Sequence, residues 1–435
     1  MFQRYIKLLC TSLLLISPLT QASPTPQVLD NSATMQWLYQ DKGVIIDVRD
    51  SNLYNGWPAP GELRGGHLPG AENLPLSWLK EDTDELAKRL ASSNIKPGSP
   101  LLIYGSTPAQ SREAVKLLHQ QGFPIKQLHI YRDPFSVWAE TPSLPLTHLA
   151  NYQALVSAAW LHRELKKPAE QRPLIVEASY GKGLKYLLAH IPGAIHLNTD
   201  SVESGPEWNL LPPQKLAENM AKAGLSRDRT IVLYGQPVEA AARVLFALHY
   251  IGAKDVRLLN GGLKAWEAAG FATDIGAVEP NPVTSFGKIT LKHQSYITLD
   301  ELKKLQRDPG NMRLVSVRSW PEYLGEISGY SYIKGKGHIP GAIWGHSGTN
   351  KDNVVDFLNP DGTLRTDSFI HRAWSRAGLT PDKHLIFYCG TGWRASLTWF
   401  YANLIGYPEE SVYDGGWLQW SRDKTNRIAL GALPG

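Results

Sequence analysis

The sequence predicts an α/β protein of three successive units, each a mostly parallel open sheet with helices on both faces. Three segments share one plan, in which a short apolar strand ends at a turn and the helix that follows is closed by a glycine. The turn residues are Gly105, Gly235 and Cys389, and the closing glycine lies 17 residues after each of them. Equal spacing in three places indicates an internal repeat, and strands that alternate with amphipathic helices favour parallel sheets.

Two further phrases recur in register with the turns. The phrase His-Leu/Ile-Pro-Gly-Ala begins at His67, His190 and His338, and a glycine pair opens 26 residues after Gly235 and after Cys389. Because the first two units have no cysteine at the turn, we interpret the histidine phrase as an element that shapes a turn rather than as a catalytic one. Ligands bind open α/β sheets at the carboxyl ends of the strands, which is where the Cys389 turn lies.

Proline-rich polar stretches at 140–145 and 274–285 separate the units. They predict domains at 23–148, 149–278 and 279–435, each long enough to form a core of its own. We expect the first two domains to be inactive and the third to be catalytic, because the turn of the third alone carries a cysteine.

The first 22 residues have the organisation of a secretory signal peptide. Two basic residues precede the apolar stretch 8–19, and the small-residue sequence Thr20-Gln21-Ala22 follows it. Cleavage would remove Cys10 and leave Cys389 as the sole cysteine. We therefore expect a periplasmic protein with no membrane segment after the signal is removed.

The composition is that of an ordinary globular protein, with 43% hydrophobic and 20% charged residues. A formal net charge of +5 without a long basic run gives no basis for nucleic-acid binding. The 13 histidines show no ligand-like spacing with a second cysteine or with clustered carboxylates, so no metal site is predicted.

Cys389 lies where an apolar strand breaks into a glycine-spaced loop that begins a helix. Such a loop directs backbone N–H groups and the positive end of the helix dipole at one point, which favours a thiolate and stabilises any anion it carries. Cys389 is therefore predicted to be a nucleophile. The other candidate site residues follow it directly and are Gly390, Thr391, Gly392, Trp393 and Arg394.

These motifs resemble the rhodanese family, with three tandem rhodanese-like domains over nearly the whole mature sequence. The resemblance rests on the histidine phrase, the strand end Asp47-Val48-Arg49, the cysteine loop, and the run 413–417 with its glycine pair. Three positions depart from the family pattern. Ser316 and Glu177 replace the strand-end aspartate, and Gln419 replaces a glutamate of the second signature.

The resemblance implies a sulfurtransferase that needs no metal or organic cofactor. Cys389 would take the sulfane sulfur of thiosulfate, a small anionic donor, as a persulfide. It would then pass this sulfur to cyanide or to a thiol, including a protein thiol. The resemblance also implies that one silent domain roofs the active site.

The loop residues have expected roles in this chemistry. Gly390 and Gly392 would let the backbone approach the sulfur closely. Thr391 would donate a hydrogen bond, and Arg394, as a flexible cation, would attract the anionic donor. Trp393 is interpreted either as a wall of the substrate pocket or as part of the core.

Other functional hypotheses stay open. The sequence Gly390-Thr391-Gly392 resembles the loop of mercaptopyruvate sulfurtransferases, so 3-mercaptopyruvate is an alternative donor. A persulfide carrier with little turnover on small donors is a second alternative. A cysteine phosphatase is disfavoured, because such enzymes place five residues between the cysteine and the arginine and only four separate Cys389 from Arg394.

The third unit also carries an insertion. His338 and Cys389 are 51 residues apart, against 38 and 45 for the equivalent positions of the first two units. We expect the Gly/Ser-rich segment 344–350 to form a lid or wall beside the loop. Lys334 or Lys336, which precede it, are expected to lie near the anionic donor.

Overall fold

The computed structural model describes residues 25–432 except 81–85, 88, 89, 92 and 94. The predicted signal peptide, residues 1–22, lies outside the described residues. None of the described helices is long and apolar enough to cross a membrane. Within the same residues, no group of three or more His, Cys, Asp or Glu side chains is arranged to hold a metal ion.

The three units repeat one sheet topology. In each described sheet, the five strands of the unit lie in the order first, fifth, fourth, second, third, and all neighbours are parallel. The strands of the first unit are Gln27–Leu29, Val44–Asp47, Ala71–Asn73, Leu101–Tyr104 and Leu128–Tyr131. Its described α-helices include Asn31–Gln40, Ser51–Asn55, Pro108–Gln120 and Phe135–Ala139.

The second unit adds a short antiparallel pair to the shared plan. Its sheet strands are Leu155–Val156, Leu174–Ser179, Ile195–Asn198, Thr230–Tyr234 and Asp255–Leu259. Its helices are Ala158–Glu164, Leu184–Leu188, Pro213–Lys222, Val238–Tyr250 and Gly262–Ala268. The additional pair is formed by Glu203–Ser204 and Asn209–Leu210.

The third unit contains the cysteine loop. Its strands are Tyr296–Ile297, Met312–Ser316, Ile343–Trp344, His384–Tyr388 and Glu410–Tyr413. Its helices are Leu299–Arg307, Trp320–Leu324, Asp367–Arg376, Trp393–Leu404 and Gly416–Arg422. The predicted fold class, three α/β units with parallel open sheets, is confirmed.

Helix starts follow from local sequence signals. Thr107 accepts a hydrogen bond from the backbone N–H of Gln110, and Pro108 occupies the first helical position, where no N–H is needed. In the third unit Thr298 and Glu301 form a capping box at the start of Leu299–Arg307.

Alternation along the central strands shows that both sheet faces are covered. In the strand Leu101–Tyr104, Leu101 and Ile103 belong to one apolar cluster, while Leu102 and Tyr104 belong to another. All four side chains are fully buried. A strand buried on both faces requires helices on both sides of its sheet, as in other parallel α/β folds.

The second and third units share one apolar core. Side chains of the helices Val238–Tyr250 and Trp393–Leu404 belong to a single continuous cluster, in which the rings of Phe246 and Trp399 lie 5.0 Å apart. On the opposite faces of their sheets, the two units keep largely separate clusters, so each unit has a core of its own besides the shared one. The apolar face of the long helix in each unit completes the core of the other.

The histidine phrase is structural, as predicted. In every unit the histidine is buried, and its Nδ1–H donates to a tyrosine carbonyl oxygen. The pairs are His67–Tyr54 at 2.8 Å, His190–Tyr186 at 3.0 Å and His338–Tyr323 at 2.8 Å. The phrase thereby fixes the turn that leads into the third strand of each sheet.

Candidate active site

Cys389 follows directly on the strand His384–Tyr388, at the carboxyl edge of the third sheet. Its side chain is only 2% exposed, and the backbone N–H of Gly392 donates a hydrogen bond to Sγ over 3.1 Å. The helix Trp393–Leu404 begins immediately after this donor. The sulfur thus lies in a backbone cradle in front of the positive end of a helix dipole, as the sequence predicted.

The glycine pair downstream holds the cradle in place. Backbone N–H groups of Trp417 and Leu418 donate to the carbonyl oxygens of Cys389 and Gly390, at 2.8 and 3.0 Å. Gly416 has a φ of +54°, and a Cβ there would lie 2.6 Å from the carbonyl oxygen of Gly390. A residue without a side chain is needed at this position because the two loops touch through their backbones.

An arginine of the second unit lies against the loop. Arg243 is completely buried and binds Asp414 of the third unit at 2.6 Å and Glu203 of its own unit at 2.8 Å. A Cβ on Gly392 would approach its Nη1 atom to 2.7 Å, and Gly392 has a φ of +114°. Gly392 therefore permits both the shape of the cradle and the close approach of Arg243. Arg243 is not among the site residues predicted from the sequence.

Trp393 connects the loop to the second unit. Its indole Nε1–H donates to a carboxylate oxygen of Glu203 over 2.5 Å. Burial raises the pKa of Glu203 to about 7, although Arg243 and the Trp393 hydrogen bond oppose the rise. Of the two interpretations of Trp393, a wall of the pocket fits its position, because the side chain lines the cleft described next.

A cleft of about 690 Å³ opens over the cradle, between the second and third units. The second unit lines it with Tyr180, Lys185, Glu203, Trp208, Gln236, Pro237 and Glu239. The third unit lines it with Tyr330, Tyr332, Lys351, Asp352, Thr391, Trp393 and Arg394. The expected roof from a silent domain is thus present, and the second unit supplies it. Cys389 lies beneath this surface.

Arg394 is buried and paired rather than flexible. Its guanidinium is 2% exposed and makes two hydrogen bonds to the carboxylate of Glu322, at 2.9 and 3.1 Å. Burial opposes ionisation of Glu322, but Arg394 and Arg318 outweigh this effect and hold its pKa at about 2. Glu322 thus holds Arg394 and Arg318 together behind the loop.

The lysines expected near the donor lie elsewhere. Lys334 and Lys336 donate to the backbone carbonyls of Ser331 and Glu326 on the surface and do not line the cleft. Lys351, just beyond the predicted lid segment 344–350, lines it instead. The insertion therefore reaches the site, but through the residues that follow the Gly/Ser-rich stretch.

Glu322 also explains why the departure at Ser316 is tolerated. In the first unit Asp47 binds Arg49 at 2.6 Å, and this arginine braces the carbonyl that precedes the histidine phrase. In the third unit Arg318 makes the same brace, and its Nε lies 3.4 Å from Glu322. In the third unit the carboxylate that binds this arginine therefore comes from the short helix after the strand instead of from the strand end. This carboxylate, Glu322, also binds Arg394 of the cysteine loop.

The equivalent turns of the first two units leave little room for a side chain. A Cβ at Gly235 would lie 2.4 Å from the carbonyl oxygen of Ala178, and one at Gly105 would lie 2.9 Å from the Cβ of Gln110. The next helices begin after Pro237 and at Pro108, which lack the N–H donors of the active cradle.

We expect Arg394→Ala to lower the free energy of unfolding by about 3 kcal/mol, because it leaves the buried carboxylate of Glu322 with Arg318 as its remaining ionic partner. Denaturant unfolding at pH 7 measures the loss. A matched Arg394→Lys variant, which keeps a cation opposite Glu322, should lose less stability.

The stability lost in Arg394→Ala should depend on pH. Glu322 has a folded pKa of about 2 against an ordinary value of 4.5, so its stabilising contribution is complete above about pH 4.5 and is lost as the pH falls towards 2. The stability difference between the wild type and Arg394→Ala should therefore shrink over that interval. A difference that stays constant down to pH 2 would contradict the assigned ion pair.

Comparisons with known proteins agree with this architecture. The family model for the rhodanese-like domain matches this chain at residues 32–141, 157–269 and 298–423. The thiosulfate sulfurtransferase YnjE of Escherichia coli is 39% identical over 431 residues, covering 97% of each chain. The sulfur carrier protein TtuD of Thermus thermophilus is 31% identical over 284 residues, covering 62% of this chain and 94% of TtuD.

Solved structures of sulfur-transferring enzymes share the whole fold. The anaerobic ergothioneine biosynthesis enzyme of Chlorobium limicola, in complex with its natural substrate trimethyl histidine, gives a TM-score of 0.88 at 34% identity, over 94% of this chain and 100% of that chain. A variant of EanB with a cysteine persulfide and ergothioneine gives 0.88 at 35% identity, with the same coverage. The chain therefore belongs to the rhodanese family and is a sulfurtransferase of three rhodanese-like domains.

Proposed function

We propose that this protein moves sulfane sulfur from thiosulfate, through a persulfide on Cys389, to cyanide or a thiol. The observation that carries the proposal is the cradle, in which a backbone N–H and a helix N-terminus converge on a buried cysteine beneath a cleft. Similarity over the full length to a thiosulfate sulfurtransferase supports thiosulfate as the donor. We place the reaction in the periplasm, on the basis of the N-terminal sequence.

The proposed chemistry is two successive displacements at sulfur. The Cys389 thiolate attacks the outer sulfur of thiosulfate, the S–S bond of the donor breaks, and sulfite leaves with the bonding electron pair. The persulfide anion that forms keeps the single negative charge of the thiolate. An acceptor thiolate or cyanide then attacks the outer sulfur, takes it as a persulfide or thiocyanate, and restores the Cys389 thiolate.

The loop supports both steps electrostatically. The Gly392 N–H and the helix dipole stabilise thiolate and persulfide alike, because both carry one negative charge on a sulfur in the cradle. Arg394 and Arg318 bind Glu322, and Arg243 binds Glu203 and Asp414, so the side-chain charges around the loop are paired with one another. Stabilisation of the anionic donor therefore falls mainly to the backbone N–H and the helix dipole. Thr391, which lines the cleft, can donate its hydroxyl to the bound donor.

A second candidate concerns the acceptor. Several aromatic side chains of both units line the cleft, and its volume of about 690 Å³ lies in the range of sites for organic ligands. Thiosulfate and cyanide would fill only a small part of it. Structures of the same fold hold trimethyl histidine or ergothioneine. This observation favours sulfur transfer to an aromatic organic acceptor of that kind.

The proposal is tested by intact-mass measurement and steady-state kinetics on the wild type. Incubation with thiosulfate should add one sulfur atom, and subsequent cyanide should remove it and yield thiocyanate. A higher kcat/KM with 3-mercaptopyruvate than with thiosulfate would assign the donor to the alternative. Loading by thiosulfate without turnover would favour a persulfide carrier, and absence of loading by either donor would contradict the proposal.

A further inference from the structure

One carboxylate of the silent second unit lies in the active cleft without a partner. Glu239 stands in the first turn of the helix Val238–Tyr250, is 5% exposed and lines the cleft. The Glu239 carboxylate accepts a hydrogen bond from its own backbone N–H. Among the described residues, no side chain forms a hydrogen bond or ion pair with it. A buried carboxylate in this condition carries a large desolvation cost that a cationic ligand would relieve.

Two of the three positive groups that line the cleft are bound to carboxylates of the third unit. Arg394 attracts Glu239 from a distance but donates its hydrogen bonds to Glu322. Lys351 is paired with Asp352 at 2.5 Å. Lys185 is exposed to solvent. The wall formed by the second unit therefore holds a buried carboxylate, Glu239, that has no ion-pair partner among the described residues. Burial raises the pKa of Glu239, and a cation bound beside it would favour the ionised form.

Aromatic rings surround the same space. Tyr330 and Tyr332 are stacked with their centroids 5.3 Å apart, and Tyr180 and Trp208 meet edge to face at 6.3 Å. All four line the cleft. Tyr330 already attracts the protein's own cations, with Lys351 Nζ 5.5 Å and Arg394 Cζ 5.8 Å from its ring centroid. Aromatic faces and a carboxylate that line one cleft attract ammonium and quaternary ammonium groups, because the ring quadrupole and the carboxylate both favour positive charge.

Resting on the proposed sulfur transfer, we infer that Glu239 anchors the cationic nitrogen of an organic sulfur acceptor, whose remaining body packs between the aromatic walls. Glu239 is then the specificity residue that the silent unit contributes. Its position in a helix N-terminal turn has a plainer explanation, since a carboxylate there stabilises the helix dipole. The two roles differ in what they predict for ligand binding.

The experiment measures binding of benzyltrimethylammonium, choline and the uncharged choline analogue 3,3-dimethyl-1-butanol by calorimetry. The wild type should bind both cations and prefer choline to the alcohol. Glu239→Gln should weaken cation binding about tenfold or more, the range expected for a lost charge-assisted contact. Glu239→Asp should keep the preference for the cation. Glu218→Gln, which removes an exposed carboxylate of the same unit, is the matched control and should bind like the wild type.

Two outcomes would overturn the inference: no cation binding by the wild type, or equal binding by the wild type and Glu239→Gln. A helix-dipole role alone gives the second outcome together with a lower unfolding temperature. Persulfide loading of the wild type by thiosulfate is recorded separately. If the wild type binds the cations but acquires no sulfur from thiosulfate, the proposed function is contradicted. If it acquires sulfur but binds no cation, only the role assigned to Glu239 is contradicted.

Discussion

Replacing Cys389 with serine should abolish sulfur loading and sulfur transfer together. A serine hydroxyl cannot form a persulfide, and no other cysteine lies within the described residues to replace it. We expect kcat/KM for thiosulfate and cyanide to fall by at least about four orders of magnitude, as when an enzyme loses its nucleophile. Intact mass should show no added sulfur after incubation with thiosulfate.

Ser396→Ala provides the matched control for this variant. It removes one hydroxyl from the helix behind the loop, where Ser396 donates to the carbonyl oxygen of Gly392, and leaves the cysteine in place. It should still acquire one sulfur atom. Turnover of thiosulfate by Cys389→Ser at a rate near that of the control would show that the reaction does not pass through Cys389.

The sequence predicted those features that depend on short-range order. The repeat, the parallel sheets and the cradle at Cys389 follow from strand, turn and helix signals that are close together along the chain. The glycine pair at 415–416 was found for the same reason. Its spacing from the cysteine is fixed by one helix and one strand, so the contact with the loop is preserved in the pattern.

Contacts that depend on packing between distant elements were not predicted. Arg394 was expected to be a flexible cation because its partner, Glu322, lies 72 residues away on another element. Arg243 and Glu203 come from a different unit, and no spacing rule connects them to Cys389. A signal did exist in the helix Val238–Tyr250, where Glu239 and Arg243 interrupt an otherwise apolar run.

Those two charges are four residues apart, so the pattern would predict a pair within the helix. The structure separates them instead. Arg243 reaches Glu203 and Asp414, while Glu239 faces the cleft. Charges in a buried helix identify it as an interface or a site, but their partners depend on the docking of two units, which local sequence does not encode.

The isolated third unit, residues 283–435, should lose transfer activity and much of its stability. Removing the second unit exposes the apolar face of the helix Trp393–Leu404 and takes Arg243 away from the buried carboxylate of Asp414. Loss of one partner of a buried ion pair alone costs about 3–5 kcal/mol. Trp393 loses its bond to Glu203 at the same time, so the loop lacks the contacts that hold it on that side.

Residues 149–435 form the matched control, because the residues that line the cleft come from the second and third units. This pair of units should retain sulfur loading by thiosulfate. It should unfold at a lower temperature than the full chain, since it lacks the bonds from Glu72 to Arg372 and from Trp78 to Asp361. Thermal unfolding, persulfide mass and thiocyanate formation are measured on the full chain, on 149–435 and on 283–435.

The second unit supplies Arg243 and half of the shared core. The large loss of stability and activity should therefore appear between 149–435 and 283–435. Equal stability and activity in those two would show that the second unit is an independent appendage, and the role assigned here to its arginine and its cleft wall would be wrong.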